Sequence, residues 1–209
     1  MLWRNGIEQL SPATIIAAFK THLSPDESSK LLRLYGISPD RPTASKLGAL
    51  DFLNDARYAM PVSHIVSKWE NSNKPVHRYL FDQVNPWQPS SRAHHAVELI
   101  YLFGGYDDSL HQFYGQSLSP SAVKHRYENV GKEMRASWIN FVNGKEPWKN
   151  SREEYRVFGP HGECKSIDED EVAARRRVSH FKALEEVRDP AALDKVVGAL
   201  AGGRLSWVN

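Results

Sequence analysis

SRAHHAVELIYLFGG, residues 91–105, sets two adjacent histidines, His94 and His95, directly ahead of an apolar run that stops at Gly104-Gly105. The run AVELIYLF is apolar nearly all round, which predicts a short buried helix ended by the glycines. Upstream, KPVHRYLFDQVN (residues 74–85) is rich in aromatic and β-branched side chains and predicts a buried strand. NPWQPSSRA, with Pro86, Trp87 and Pro89, is the loop between them. Strand, loop and histidine in that order are one way an α/β enzyme presents a general base. The strand end fixes the loop, and the loop carries a neutral imidazole that accepts a proton near pH 7. The plainer reading is that one histidine caps the helix and the other is a satisfied buried side chain.

Outward from this stretch, helices dominate. Ser11-Pro12 is an N-cap with proline at the first helical position. Ser24 and Glu27 form a capping box, and the helix they open ends at Gly36. A loop containing Pro39, Asp40 and Pro42 follows. Helical spacing then extends from about Ser45 to Trp69, with Pro61 expected to break or kink it. Ser119-Pro120 starts a long helix to about Val142, carrying Met134, Trp138, Ile139 and Phe141 toward a core. EYRVFG and ECKSI flank Gly159–Gly162 as a hairpin. Asp168–Glu171 open a helix expected to continue through Arg175–Arg177, a charge run that reads as a solvated face. Asp189-Pro190 caps the last helix.

Composition narrows the function classes. The chain has 209 residues, 41% hydrophobic and 25% charged, with a formal net charge of +2, so no nucleic-acid partner is indicated. The single cysteine, Cys164, rules out an internal disulfide and any paired-cysteine site. No apolar stretch is long enough to span a membrane. The nine histidines show no metal-ligand spacing, so neither metal nor cofactor is expected. Read from Met1 as written, the chain has no signal peptide and would stay in the cytoplasm; a longer N-terminus would reopen that.

His95-Ala96-Val97-Glu98-Leu99-Ile100-Tyr101-Leu102-Phe103-Gly104 resembles the catalytic-histidine motif of type B carboxylesterases, the group that includes the cholinesterases. That motif is His, two variable residues, an acid, an aliphatic residue, one more, an aromatic, an aliphatic, then Phe-Gly. The resemblance makes His95, not His94, the general base, with Glu98 the acidic residue accompanying it. Trp138, Asn140-Phe141, Gly144 and Pro147-Trp148 are similar to the family's next helix end, and Tyr155–Phe158 to the strand after it. The likeness covers roughly residues 1–180. It implies an α/β class: the C-terminal portion of an α/β-hydrolase fold, mostly helical here, with a few strands of the central sheet and a C-terminal hairpin. The expected organisation is one partial domain over residues 1–209, family-like to residue 185 and a helical tail over 186–209.

The implied chemistry is acyl transfer on a small carboxylic ester. A serine on a Gly-x-Ser-x-Gly turn attacks, histidine takes its proton, a carboxylate orients the histidine, and backbone N–H groups hold the oxyanion. No Gly-x-Ser-x-Gly occurs in these residues. The nearest approach, Gly115-Gln116-Ser117-Leu118-Ser119, lies after His95, whereas the family's serine and acid precede its histidine. Glu8, the first acid present, falls on the wrong side of the segment that follows the family's acid, so that role is not carried to it. The expectation is a C-terminal fragment with the histidine but neither nucleophile nor acid, inactive alone and prone to self-association through uncovered apolar faces. A non-catalytic, cholinesterase-like binding or interaction protein and a truncated remnant remain the alternatives.

Overall fold

The computed structural model describes residues 4–88, 92–104, 109, 112, 127–149 and 154–202. The chain divides into two compact units. One is formed by residues 1–68 and 173–209, the other by residues 69–172.

The first unit is helical: α1 (Arg4–Glu8), α2 (Pro12–His22), α3 (Pro25–Leu34), α4 (Pro42–Asn54), the start of α5 (Met60–Asn71), α9 (Val178–Glu185) and α10 (Pro190–Leu200). Three N-caps follow the sequence. Ser11 accepts from the Thr14 N–H, Ser24 and Glu27 close a full capping box, and Asp189 accepts from the Ala191 N–H. Pro42 begins α4 rather than lying in the preceding loop, because proline is favoured in the first helical turn. The core gathers Ile15 and Phe19 of α2, Leu31 of α3, Phe52 and Leu53 of α4, Leu184 of α9, and Val196 and Leu200 of α10. The α3–α4 turn is tight. Ser45 Oγ donates to the Ser38 carbonyl and accepts its N–H. A Cβ on Gly48 would lie 2.0 Å from the Tyr35 carbonyl oxygen.

Pro61 neither ends the helix nor leaves it unaltered. A π turn, Asp55–Ala59, joins α4 to α5, and the Met60 N–H reaches five residues back to the Asp55 carbonyl. The wider turn relieves the clash that a proline ring makes with the carbonyl four residues before it. Asp55, at the start of the π turn, is buried, and Arg177 grips it through two contacts of 2.8 and 3.0 Å. The Tyr35 hydroxyl donates to the same carboxylate at 3.2 Å. Burial raises the Tyr35 phenol above its ordinary range, and the Asp55 charge adds to this. Burial lowers the imidazole of His180, whose ring meets Tyr35 edge-on. The arginine run is therefore not simply a solvated face. Arg177 turns into the unit, and the helix expected to run through it, Glu169–Arg175, stops at Arg175.

The second unit holds the sheet. β1 (Tyr79–Phe81) pairs in parallel with β2 (Tyr155–Phe158), which pairs antiparallel with β3 (Cys164–Ile167) in the expected hairpin. Around it lie α6 (Val97–Phe103), α7 (Asn129–Val142) and α8 (Glu169–Arg175). Fold class agrees with the sequence reading: mostly helix with a small mixed sheet. The strand around residue 80 is shorter than expected and half-buried. Tyr79 and Phe81 pack with α6 and α7 while Leu80 packs toward β3 and α8, so apolar residues run consecutively on a two-sided strand. Met134 is buried and Trp138 packs against the core as expected, joined by Val130, whereas Ile139 and Phe141 are exposed, contrary to expectation. The expected helix start at Ser119-Pro120, the Gly115–Ser119 stretch, His111 and His125 lie outside the described residues.

Two measurements check the first unit. Asp55→Ala leaves a cation and a phenol facing each other without their shared acceptor. The loss is ~2–3 kcal/mol, below the usual cost of breaking a buried pair because about a third of the Arg177 side chain meets solvent. Asp51→Ala, removing the half-exposed partner 3.4 Å from Arg177, shifts the urea midpoint little, within about 0.5 kcal/mol. Acid acts through Glu27. Hydrogen bonds from the Arg188 and Ser24 backbones and the Ser24 hydroxyl pull its carboxyl from the usual 4.5 to about 2. Its stabilising effect is complete above pH 4.5 and fades as pH falls toward about 2, so Glu27→Gln flattens that limb of an acid-unfolding curve.

Candidate functional site

The candidate site grows from the C-terminal end of β1, the end at which parallel sheets carry ligand-binding loops. The chain leaving β1 is held to the hairpin. The Asp82 and Gln83 N–H groups both donate to the Phe158 carbonyl, at 2.7 and 3.1 Å. Gln83 is buried, and its Oε1 accepts from the Gly162 N–H at 2.9 Å. Gly159 sits beneath it with φ +87°, and a Cβ there would lie 2.3 Å from Gln83 N. Only glycine fits that conformation and contact together.

Beyond Gln83 the Val84 carbonyl accepts from the Tyr101 hydroxyl at 2.9 Å, tying the loop to α6. Arg135 of α7 donates to the Tyr101 carbonyl at 2.9 Å. Val97 and Tyr101 pack with Val130 and Met134, so α6 rests on α7 by one buried stripe. The helix expected to be buried is fully buried only at Val97 and Tyr101, and its apolar surface is partly uncovered, as expected of a partial domain. Phe103 is 74% and Leu99 43% exposed, on the side of α6 away from the stripe that meets α7.

The loop itself is built on Asn85. Its Oδ1 accepts from the Trp87 N–H at 2.9 Å, an Asx turn, and its own N–H donates to the Arg92 carbonyl at 3.3 Å. Asn85 Nδ2 lies 3.1 Å from His94 Nε2. His94 Nδ1 lies 3.2 Å from the carbonyl oxygen of His95, and the His94 carbonyl accepts from the Val97 N–H at 3.1 Å. Ala96, the N-cap of α6, has φ +65°, in the left-handed region.

His94 is thus half-buried and engaged at both ring nitrogens, while His95 is exposed. No hydrogen bond joins His95 to Glu98 among the described residues. Glu98 is half-buried, and its charge adds to burial in raising the Tyr79 phenol. The two sequence-expected residues are therefore near in sequence but not paired. Sequence reading missed Asn85 and the left-handed Ala96; the Asn85-Pro86 dipeptide was the available signal for the turn. Cys164 lies apart, with Asn129, Lys132, Glu133 and Gly162 around a shallow depression, and burial pushes its thiol up to about 11. The described residues contain no histidine, cysteine or carboxylate group arranged to hold a metal ion, and none of their helices is long and apolar enough to cross a membrane.

Residues 7–182 match the carboxylesterase family, and the chain belongs to it. Lipase 1 of Yarrowia lipolytica (strain CLIB 122 / E 150) is 27% identical over 139 residues, 62% of this chain and 26% of that protein. Lipase 3 of the same yeast is 27% identical over 165 residues, 76% of this chain and 29% of that protein. The chain therefore spans less than a third of the length of the curated relatives it matches. No solved structure matches it.

Strain at Ala96 is measurable. An alanine in the left-handed region costs about 1 kcal/mol, part of which glycine's greater unfolded-state freedom returns. Ala96→Gly is therefore neutral or stabilising by up to ~1 kcal/mol, whereas β-branched Ala96→Val is destabilising by about 1–2 kcal/mol, read from urea unfolding by tryptophan fluorescence.

Proposed function

We propose that this chain supplies the histidine of a carboxylic ester hydrolase. In this reading His95 takes the proton of an attacking serine hydroxyl and then returns it to the departing alcohol oxygen. The serine and the carboxylate that orients His95 come from protein outside these 209 residues. A small carboxylic ester is the substrate class, and acyl transfer of this kind calls for no cofactor. The observation that supports the reading is the exposed His95 ring, on the loop that follows a parallel strand, in a chain of this family. Glu98 is not given the orienting role, since it makes no bond to His95 among the described residues.

Alone, the chain has no turnover: it lacks the Gly-x-Ser-x-Gly nucleophile turn. It self-associates through the apolar side chains that stand exposed, among them Val62 and Ile65 of α5, Phe103 of α6, and Ile139 and Phe141 of α7.

The test isolates the native polypeptide from its own cells with an antibody to the C-terminal helices and follows p-nitrophenyl butyrate hydrolysis. The native material is active and is labelled by a fluorophosphonate. His95→Ala introduced at the chromosomal copy lowers kcat on the order of 10⁴-fold or more. The recombinant 209-residue chain stays at the buffer rate. Unchanged activity in His95→Ala, inactive native material, or turnover by the isolated chain overturns the proposal.

A further inference from the structure

We infer that His94 is a positioning residue: Asn85 locks it as the neutral Nδ1–H tautomer, and in that form it holds the backbone carbonyl of His95. The inference rests on the reading of His95 as general base, which gives that position its use.

The assignment follows from three contacts taken in order. A backbone N–H only donates, so the Asn85 atom facing the Trp87 N–H at 2.9 Å is the carbonyl oxygen Oδ1. The amide nitrogen Nδ2 then faces His94 Nε2 at 3.1 Å. An amide nitrogen also only donates, so Nε2 presents its lone pair, and the proton of the neutral ring sits on Nδ1. Nδ1 faces the His95 carbonyl oxygen at 3.2 Å, which only accepts. Every donor meets an acceptor in this arrangement. Turning the amide over would set two N–H groups against each other at Trp87 and two lone pairs against each other at His94.

The lock acts where the backbone needs support. The Asn85 N–H closes the base of the loop on the Arg92 carbonyl, and the His94 carbonyl takes the Val97 N–H. Between them Ala96 is held at φ +65°, a conformation that an alanine keeps only when its surroundings fix it. His94 contributes both ring nitrogens and its carbonyl to that fixation. The neighbouring His95 ring has no bonded partner among the described residues and stands exposed. One imidazole of the pair builds the turn; the other is presented by it.

The primary test is the nitrogen spectrum of the histidine rings in the ¹⁵N-labelled 209-residue chain, at about pH 8, above the range in which a free imidazole takes a proton. The His94 signals are identified by their loss in His94→Leu. In the parent chain His94 shows a protonated Nδ1 and an unprotonated Nε2. Asn85→Asp replaces the amide donor with a carboxylate acceptor while keeping the turn to Trp87, and a proton appears on Nε2. Asn85→Ala releases the ring to average over both tautomers. A parent His94 carrying its proton on Nε2, or a tautomer indifferent to Asn85→Asp, overturns the inference whatever His95 does.

The functional readout uses the native polypeptide. Asn85→Ala and His94→Leu lower kcat about 10- to 100-fold with KM within about twofold, the signature of a misaimed group rather than lost binding. His94→Asn, whose amide nitrogen restores a donor near the Nδ1 position, recovers most of that loss. Equal loss in His94→Asn and His94→Leu overturns the positioning role. An effect of His94→Leu as large as that of His95→Ala makes His94 the base, and so sinks the reading of His95 instead.

Discussion

Everything that presents His95 depends on the contact between Gly159 and Gln83. A side chain at residue 159 would overlap the backbone of residue 83, and the buried Gln83 amide spans the gap to Gly162. This pins the exit of β1 to the β2–β3 hairpin over a few ångströms of backbone, where a three-residue parallel strand alone would hold it weakly. A buried amide is costly unless bonded, so Gln83 holds one geometry rather than several. The loop built on Asn85 starts two residues later and inherits that rigidity.

A second set of constraints ties the edge of the same unit. The Arg78 guanidinium lies over the Tyr155 ring at 3.7 Å and bonds Glu169 at 2.9 Å, with the Tyr155 hydroxyl on the same carboxylate. These residues precede β1, open β2 and open α8, so one charge-assisted cluster fixes where three elements begin. Burial raises the Tyr155 phenol, and the nearby carboxylates hold it neutral and available as a donor. The sheet is thus fastened at both ends of its parallel pair, by charge at one and by an amide at the other.

The caps, the hairpin and the helix after His95 were legible in the sequence because each is written in local chemistry. Ser11-Pro12, the Ser24–Glu27 box, Asp189-Pro190 and Gly104 need only their own neighbours. What was not legible depends on residues far away in the chain. Arg177 reads as part of a surface run until Asp55, 122 positions earlier, is seen to face it. Ile139 and Phe141 read as core alongside Met134, but helical phase keeps only Met134 of these three there and adds Val130. The adjacent histidines were singled out as a candidate by a family motif. Their different surroundings followed from Asn85, nine residues before His94, through a side-chain bond that no spacing rule encodes.

The π turn at Asp55–Ala59 also constrains how this region can change in length. It contains one residue more than an α-helical turn would use, and each residue advances helical phase by about 100°. Upstream of it α4 aims Ala49 and Phe52 at the core; downstream, Ala56 and Met60 pack against that core while Tyr58, Val62, Ile65 and Trp69 form a line with spacing four, three and four. Removing a single residue from the turn would rotate the whole of α5 by about a quarter of a revolution and send that line to another side. Substitutions along the segment change one contact at a time, whereas a one-residue deletion changes them all at once.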